Sequence, residues 1–169
     1  MPRVILVDED DNPVGTEEKL NAHQNGGKLH RCFSIFVFND KGEMMLQKRA
    51  DGKYHCGGLW TNTCCSHPKP SEDVEDAAHR RIQEEMGFDC SMEEVFVFQY
   101  KADFDNGLTE HEMDHTFIGR YNKDPNPNSE EVGDWKWIKI NDLKKDIQKN
   151  PDKDTPWFKI AVEKVLKHR

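Results

Sequence analysis

Residues 71–87 read SEDVEDAAHRRIQEEMG, and this stretch predicts the helix around which the rest of the chain is arranged. Ser71 is expected to be the N-cap, because a serine hydroxyl accepts a hydrogen bond from a free backbone N–H group. Acidic residues in the first turn complement the positive end of the helix dipole. The helix is expected to continue to about Met86 and to end at Gly87, since glycine readily adopts the left-handed C-cap conformation.

Short segments rich in β-forming residues lie on both sides of this helix. The expected strands are residues 3–7, 33–38, 43–49, 95–101, 111–120 and 134–138, and further helices are expected from Asn141 and from Trp157. Strands and helices alternate without a strict βαβ order, which indicates an α/β (α+β) mixed-sheet sandwich flanked by helices. The length of 169 residues suits a single compact domain spanning 1–169.

Two further segments carry local predictions. Thr16 is expected to cap a helical turn over residues 17–22. Residues 50–70, with three glycines and two prolines, are expected to form a long loop. An irregular stretch of that length inside a compact domain is usually functional.

Bulk composition excludes several classes of protein. The net charge of −8 argues against a nucleic-acid-binding protein, which needs a basic surface for the phosphate backbone. No run approaches the roughly 20 apolar residues of a membrane span. The N-terminal stretch MPRVILV is too short and too soon followed by acidic residues for a signal peptide, so a soluble, cytoplasmic protein is expected.

The cysteines are expected to be reduced thiols. Their number is odd and no CxxC pair occurs, which argues against a zinc finger and against a secreted disulfide framework. The five positions are Cys32, Cys56, Cys64, Cys65 and Cys90.

Several side chains suited to metal binding and acid–base chemistry stand out. Cys65 lies two residues before His67, and Glu110 and Glu112 are spaced so that a strand would direct both to one face. With His23 and His30 they form a set that can hold a metal beside an acid–base pair. The remaining histidines, His55, His79, His111, His115 and His168, are expected at the surface.

The helix at 71–87 resembles the Nudix box. The matching positions are Glu72, Arg80, Glu84, Glu85 and Gly87. Arg80 and Glu84 are four residues apart and can pair along the helix. Two positions depart from the box: Ser66 replaces its first glycine, and Arg81 replaces the glutamate after its arginine. That glutamate binds the catalytic metal in the hydrolases, so its loss argues against hydrolysis, whereas an arginine suits holding a diphosphate.

The whole chain, from Val4 to the C-terminal helix, resembles the type I isopentenyl-diphosphate delta-isomerases, which have a Nudix fold. The similar segments are Glu18-Lys19 with His23 and His30, Gln47–Ala50, Gly58–Thr63 leading into Cys65–Pro68, Glu110–Glu112 and Thr155–Trp157. The resemblance implies a Nudix-like sandwich that interconverts isopentenyl and dimethylallyl diphosphate. It also implies that the N-terminal segment, residues 1–30, contributes metal ligands.

The same resemblance implies a role for each site residue. Cys65 and Glu112 would act as acid and base on opposite faces of the substrate, with Tyr100 hydrogen-bonded near Glu112; which group donates the proton stays open. One divalent ion (zinc, manganese or magnesium) would be bound by His23, His30, His67, Glu110 and Glu112. A magnesium ion carried with the substrate diphosphate would bind near Glu85. The diphosphate would contact Lys19, Arg49, Lys53 and Arg81, and the indole face of Trp157 would lie against the cationic carbon.

Two other functions remain as alternatives. One is a Nudix pyrophosphohydrolase, against which Arg81 and the pair Cys65 and Glu112 argue. The other is a binding module stabilised by structural zinc, although such sites usually have four ligands and are rich in cysteine. The expected partner is a small-molecule diphosphate, with no nucleic acid and no membrane, and the expected state is a monomer or weak homodimer.

Overall fold

The computed structural model describes residues 2–53, 56–104 and 106–169. In these residues nine strands form one sheet, accompanied by four α-helices. The strands are β1 Arg3–Val7, β2 Pro13–Glu18, β3 His30–Phe38, β4 Met44–Arg49, β5 Trp60–Thr61, β6 Cys64–Ser66, β7 Ser91–Asp103, β8 Thr109–Arg120 and β9 Val132–Ile138. The helices are α1 Lys19–Ala22, α2 Val74–Met86, α3 Ile140–Lys149 and α4 Pro156–His168, with a short 3-10 turn over Pro151–Lys153. No helix within the described ranges combines the length and apolar character needed to cross a bilayer.

Strand β3 organises the sheet. It is paired antiparallel with β1, β4 and β6 and parallel with β8. The sheet is therefore mixed, as the sequence predicted. All but one of the β3 residues are buried, as expected for a strand covered on both faces.

The side chains of β3 alternate between two apolar layers. Phe33, Ile35 and Val37 pack in the cluster that includes α2 residues. Phe36 and Phe38 pack in the cluster that includes α4 residues. This alternation with a period of two residues places helices on both faces of the sheet and confirms the predicted sandwich.

The N-cap of α2 differs from the prediction. The Asp73 side chain accepts hydrogen bonds from the backbone N–H groups of Glu75 and Asp76, and the helix begins at Val74. Ser71 instead has a left-handed backbone with φ of 66° and lies outside the helix. The predicted cap was therefore wrong by two residues, because the carboxylate of Asp73 lies closer to the free N–H groups of the first turn. Gly87 ends the helix with φ of 73°, as predicted.

Two other local predictions were wrong. Thr16 lies inside β2, paired with Ile5 of β1, so it is not a cap; the predicted helical turn is present but begins later, as α1 over Lys19–Ala22. Residues 50–70 contain the short strands β5 and β6, because the backbone there pairs with β4 and β3.

One histidine expected at the surface is buried. His115 is 8% exposed, and its two ring nitrogens lie 2.6 Å from Glu94 Oε1 and 2.7 Å from Asp11 Oδ2. These contacts fix the turn between β1 and β2 against the main sheet. His55 lies outside the described residues.

The capping assignment can be tested by two substitutions. Asp73→Ala removes two hydrogen bonds at the start of α2 and is expected to lower the free energy of unfolding by about 1 kcal/mol. Ser71→Ala removes the hydroxyl of the residue that the sequence alone favours, and it is expected to leave stability unchanged. Urea unfolding of both variants and the wild type provides the measurement. A larger loss in the Ser71 variant would contradict the assignment.

Candidate active site

Three imidazoles converge on one carboxylate oxygen. The Nε2 atoms of His23, His30 and His67 lie 3.6, 3.4 and 3.4 Å from Oε1 of Glu112. Each of the four residues offers one ligand atom, and these atoms all lie within 4.8 Å of one another. The imidazoles come from α1's C-terminal end, from the first residue of β3 and from the residue after β6. Glu112 pairs with His30 across the parallel β3–β8 ladder.

The hydrogen bonds of two imidazoles suit metal binding. The Nδ1 atom of His23 lies 2.6 Å from the Lys19 carbonyl oxygen, and that of His30 lies 2.7 Å from the Lys28 carbonyl oxygen. A carbonyl only accepts, so each Nδ1 carries the hydrogen and each Nε2 is left with a lone pair. Metal-binding histidines usually donate their other ring N–H to a carbonyl or carboxylate oxygen in this way. The donor set therefore fits a divalent cation.

Burial and mutual contacts set the charges of this cluster. Burial lowers the pKa of His67 to about 3, against the opposing hydrogen bond to Glu112, so its imidazole is neutral at physiological pH. Burial acts to raise the pKa of Glu112, but its contacts with the three imidazoles outweigh that effect and hold the pKa well below its usual range. Burial opposes the charged form of His23, yet the contacts with Glu112 and the Lys19 carbonyl raise its pKa. The cluster thus presents an ionised carboxylate.

Glu110 lies beside this cluster. It and Glu112 are both buried and line the same cavity, as their spacing on a strand predicted. In the described part of the chain, however, the convergent donor group contains Glu112 and not Glu110. The Tyr100 hydroxyl donates a hydrogen bond to Glu110, although Tyr100 is the cross-strand partner of Glu112. The role of Glu110 as a fifth ligand stays a prediction.

A cavity of about 200 Å³ adjoins the cluster. Its lining contains nearly all the side chains that the sequence suggested for substrate, acid and base. These are Lys19, Arg49, Lys53, Cys65, His67, Arg81, Glu85, Tyr100, Glu110, Glu112 and Trp157. His23 and His30 lie behind Glu112 and are fully buried.

The two adjacent cysteines point to opposite faces of the sheet. Cys64 Sγ lies 2.7 Å from Glu85 Oε2 on the α2 side. Cys65 Sγ accepts a hydrogen bond from the Trp157 indole Nε1 at 3.1 Å on the α4 side. Successive strand residues alternate in direction, so the pairing of β6 decides which thiol faces the cavity. Burial raises the pKa of Cys65 strongly, which keeps this sulfur in its protonated thiol form.

The part of the cavity wall around Arg81 is rich in ion pairs. Arg81 Nη2 lies 2.7 Å from Glu131 Oε1 and 3.1 Å from Glu85 Oε1. Lys53 Nζ also contacts Glu131, at 3.3 Å. Arg81 Nε donates to Ser66 Oγ at 3.1 Å, so the two residues that depart from the Nudix box contact each other. Cations and carboxylates alternate here, which suits an anion accompanied by a divalent cation.

Two further cations, Lys19 and Arg49, line the cavity. Burial lowers the pKa of Lys19, and the neighbouring charges of Lys53 and Arg49 add to that effect. The guanidinium of Arg49 lies over the Trp157 ring, 5.3 Å from its centroid. Four cations therefore line the cavity together with carboxyl groups, and they can pair with an anionic ligand.

The sequence interpretation missed several polar residues of the cavity wall: Ser34, Asp114 and Glu131. Asp114 lies two residues after Glu112 on β8, and the period-two rule that placed Glu110 and Glu112 could have found it. Burial raises the pKa of Asp114 to about 8, against the opposing hydrogen bond from Ser34. No pattern in the sequence marks Glu131, because it lies in a polar loop far along the chain from Arg81.

Arg80 behaves as the helix spacing predicted. Its Nη1 donates to Glu84 Oε1 at 3.0 Å, and its Nε donates to Glu72 Oε2 at 2.8 Å. These three residues brace the surface of α2, whereas Arg81 and Glu85 on the same helix reach the cavity. The helix therefore positions one arginine and one glutamate for the site.

Residues 28–158 match the model of the NUDIX domain family, and the chain belongs to that family. Solved structures agree on the fold. DR0079 from Deinococcus radiodurans superposes with a TM-score of 0.73 at 19% identity, over 88% of this chain and 90% of that one. A MutT NUDIX hydrolase from Burkholderia pseudomallei gives 0.64 at 22% identity, over 80% of this chain and 97% of that one.

Sequence relatives identify the branch of the family. The chain is 50% identical to isopentenyl-diphosphate Delta-isomerase 2 of Aromatoleum aromaticum, over 99% of this chain and 88% of that protein. It is 53% identical to the protein of the same name from Photorhabdus laumondii, over 94% of this chain and 89% of that protein. The chain therefore belongs to the isopentenyl-diphosphate Delta-isomerases of the NUDIX family.

The convergent cluster predicts how the protein binds metal. His30→Ala removes one donor of the cluster and is expected to weaken zinc binding by at least about 100-fold. His79→Ala, which removes a histidine paired with Asp89 on the α2 surface, is the matched control and is expected to bind zinc as the wild type does. Isothermal titration of Zn²⁺ into each metal-free protein provides the measurement.

The same titration has an expected pH dependence. The raised pKa of His23 means that a proton competes with the metal for this imidazole, so zinc affinity is expected to fall as the pH is lowered. Equal affinity in the wild type and the His30 variant, or affinity that rises on acidification, would contradict the assignment of the cluster.

Proposed function

We propose that this chain interconverts isopentenyl diphosphate and dimethylallyl diphosphate, with Cys65 and Glu112 as the groups that exchange protons with the substrate. One observation carries the proposal: a protonated thiol and an ionised carboxylate line one cavity that also holds a cluster of cations. The relatives named as isopentenyl-diphosphate Delta-isomerases support it over nearly the whole chain.

The strand arrangement separates the two reacting groups. Cys65 is on β6 and Glu112 is on β8, and these strands flank β3 on its two sides. A flat five-carbon unit between them can receive a hydrogen on one side and lose one on the other. In the forward direction a proton from the thiol forms a C–H bond at the terminal alkene carbon, and the positive charge develops at the tertiary carbon. The carboxylate then removes a proton from the carbon two positions away from the newly protonated one, and the new double bond forms next to the tertiary carbon.

The protonation states favour this direction for isopentenyl diphosphate. Burial keeps Cys65 protonated, and the three imidazoles keep Glu112 ionised. Each forward reaction leaves Cys65 as a thiolate and Glu112 as a carboxylic acid, so the reverse reaction starts from those forms. Tyr100, hydrogen-bonded to Glu110, forms part of the same wall and holds that carboxylate in place.

A divalent cation fits the cluster of His23, His30, His67 and Glu112, and Glu110 is proposed as its fifth ligand. When bound, the cation keeps Glu112 ionised and oriented towards the cavity. Nitrogen and carboxylate donors suit zinc, manganese or magnesium. Cys65 can exchange a proton with the substrate without its sulfur being a ligand of that cation.

The cation-rich end of the cavity is proposed as the diphosphate site. Lys19, Arg49, Lys53 and Arg81 supply the positive charge, and Glu85 supplies a carboxylate for a magnesium ion that accompanies the diphosphate. Arg81 contacts Glu85 and Glu131, so these carboxylates would bind a magnesium ion that accompanies the diphosphate, and the Arg81 guanidinium would then be available to the phosphate oxygens.

Trp157 contributes at the hydrocarbon end. A desolvated contact between a cation and an indole face contributes about 2 kcal/mol, or roughly 30-fold in rate. That amount is small beside the barrier to protonating an unactivated alkene. Placement of the acid and base in a site shielded from water must therefore supply most of the acceleration.

The fold also admits pyrophosphate hydrolysis, the second candidate function. Arg81, which replaces the box glutamate, is surrounded by Ser66, Glu84, Glu85 and Glu131. It therefore neutralises carboxylates that a hydrolytic metal centre would use. The remaining properties of the proposal are a cytoplasmic location, a monomeric or weakly dimeric state, and action on small diphosphates without nucleic acid or membrane.

Incubation with isopentenyl diphosphate and Mg²⁺ or Mn²⁺ in D₂O separates the candidate functions. Isomerisation is expected to give dimethylallyl diphosphate carrying deuterium in a methyl group, because the added hydrogen comes from an exchangeable protein group. Mass spectrometry measures the label. Release of phosphate or diphosphate would favour hydrolysis, and retained metal without turnover would favour a binding module.

Two pairs of variants test the roles of the reacting groups. Cys65→Ala and Glu112→Gln each remove one of them, and kcat is expected to fall by at least about 1,000-fold, the upper part of the range for a lost acid or base. The controls are Cys90→Ala, a thiol outside the cavity, and Glu93→Gln, an exposed carboxylate of β7, and both are expected to keep wild-type kcat. Near-normal turnover in either test variant would overturn its assignment.

A further inference from the structure

Ser34 contacts the sulfur on which the proposed reaction depends. Its Oγ lies 3.5 Å from Cys65 Sγ, and the two residues are direct partners in the antiparallel β3–β6 ladder. Ser34 is 1% exposed and lines the cavity. Its hydroxyl is therefore fixed by strand pairing next to the thiol, in a position that solvent does not reach.

Asn62 accepts the thiol hydrogen. Its Nδ2 donates to the carbonyl oxygens of Ile35 at 3.0 Å and Cys64 at 2.9 Å, so a flipped amide would lose both bonds. Its Oδ1 consequently faces Cys65 Sγ, at 3.1 Å. An amide oxygen only accepts, which means that the S–H group points to Asn62 in the resting state.

The other contacts hold the sulfur from different directions. The indole N–H of Trp157 can only donate, so it approaches a lone pair of the sulfur. The Ser34 hydroxyl is the third polar group: it donates its hydrogen to Asp114 Oδ2 at 2.6 Å, and its oxygen packs against the sulfur, whose own hydrogen points to Asn62. Asp114 is itself 1% exposed, so this anchor is as rigid as the sheet around it.

The geometry points to Ser34, anchored by Asp114, as a positioning residue that fixes the Cys65 sulfur against the substrate cavity. This inference rests on the proposed function. A cysteine side chain places its sulfur through a single torsion with three staggered positions. Polar groups from β3, from the segment between β5 and β6, and from α4 select one of them. Without the Ser34 hydroxyl, one side of the sulfur loses its contact and a second rotamer becomes accessible.

The consequence is confined to the reacting end of the substrate. Ser34 contacts Cys65 and Asp114, neither of which is proposed to hold the diphosphate, so substrate binding is expected to change little. Loss of this packing contact and displacement of the sulfur are expected to lower kcat by about tenfold. The value of KM is expected to stay within about twofold, because the lost contact acts on the transition state alone.

Ser34→Ala and Thr116→Val form a matched pair. Thr116 is buried beside Ser34 in the β3–β8 ladder, and its hydroxyl also contacts Asp114, at 3.4 Å. Each substitution therefore removes one hydroxyl from the same carboxyl group, but only Ser34→Ala removes a contact to Cys65. Steady-state kinetics are expected to show the tenfold loss of kcat in S34A and wild-type kcat in T116V. Equal kcat in both variants would overturn the inference.

Two additions keep the test decisive. Ser34→Cys is slightly larger than serine and replaces the hydroxyl that Asp114 anchors by a weak donor, so it is expected to show the same loss if S34A proves unstable. The infrared S–H stretch of Cys65, isolated by subtracting spectra of the matching Cys65→Ala proteins, is expected to shift in S34A and not in T116V. An unshifted band in S34A would refute the contact even if the wild type showed no isomerisation, whereas wild-type turnover alone tests the proposed function.

Discussion

The convergence of three imidazoles on one buried oxygen of Glu112 is the constraint on which the rest of the site depends. Glu112 is 5% exposed, and removing the partners of a buried charge costs about 3–5 kcal/mol. The imidazoles belong to the α1 segment, to β3 and to the residue following β6. Satisfying one carboxylate therefore ties three distant parts of the chain to β8.

The central strand determines what surrounds this carboxylate. Because β3 pairs with β6 on one side and β8 on the other, residues of both strands that point to one face share a cavity. The alternation of strand side chains then selects Cys65 over Cys64 for that face. Cys64 turns to α2, where it contacts Glu85. A shift of the β3–β6 ladder by one residue would exchange the two thiols and remove the acid from the site.

Much of this arrangement could be predicted from the sequence. The strands, the helix ending at Gly87 and the common direction of Glu110 and Glu112 follow from periodicity and capping rules. Other features depend on pairing between distant segments and leave no local signal. Thr16 entered a hairpin with β1, the cap moved from Ser71 to Asp73, and β5 and β6 formed within an expected loop.

The site shows the same division. The histidines, the thiol and the four cations were suggested by resemblance, and the fold brings all of them except His23 and His30 to the lining of one cavity. The burial of His115 was missed because its partners, Asp11 and Glu94, are remote in sequence. The Tyr100 hydroxyl contacts Glu110, which no spacing rule distinguishes from Glu112. Ser34 and Glu131 become visible only through the contacts that the folded chain creates.

A crystal structure of the protein soaked with Mn²⁺ and isopentenyl diphosphate would show whether the histidine cluster binds the metal and whether Cys65 and Glu112 lie on opposite sides of the substrate. We expect an anomalous peak from a manganese ion bound by His23, His30, His67 and Glu112. We also expect the five-carbon chain to lie between the Cys65 sulfur and the Glu112 carboxylate, with the diphosphate among the cations. Manganese bound elsewhere, or a hydrocarbon chain with both groups on the same side, would contradict it.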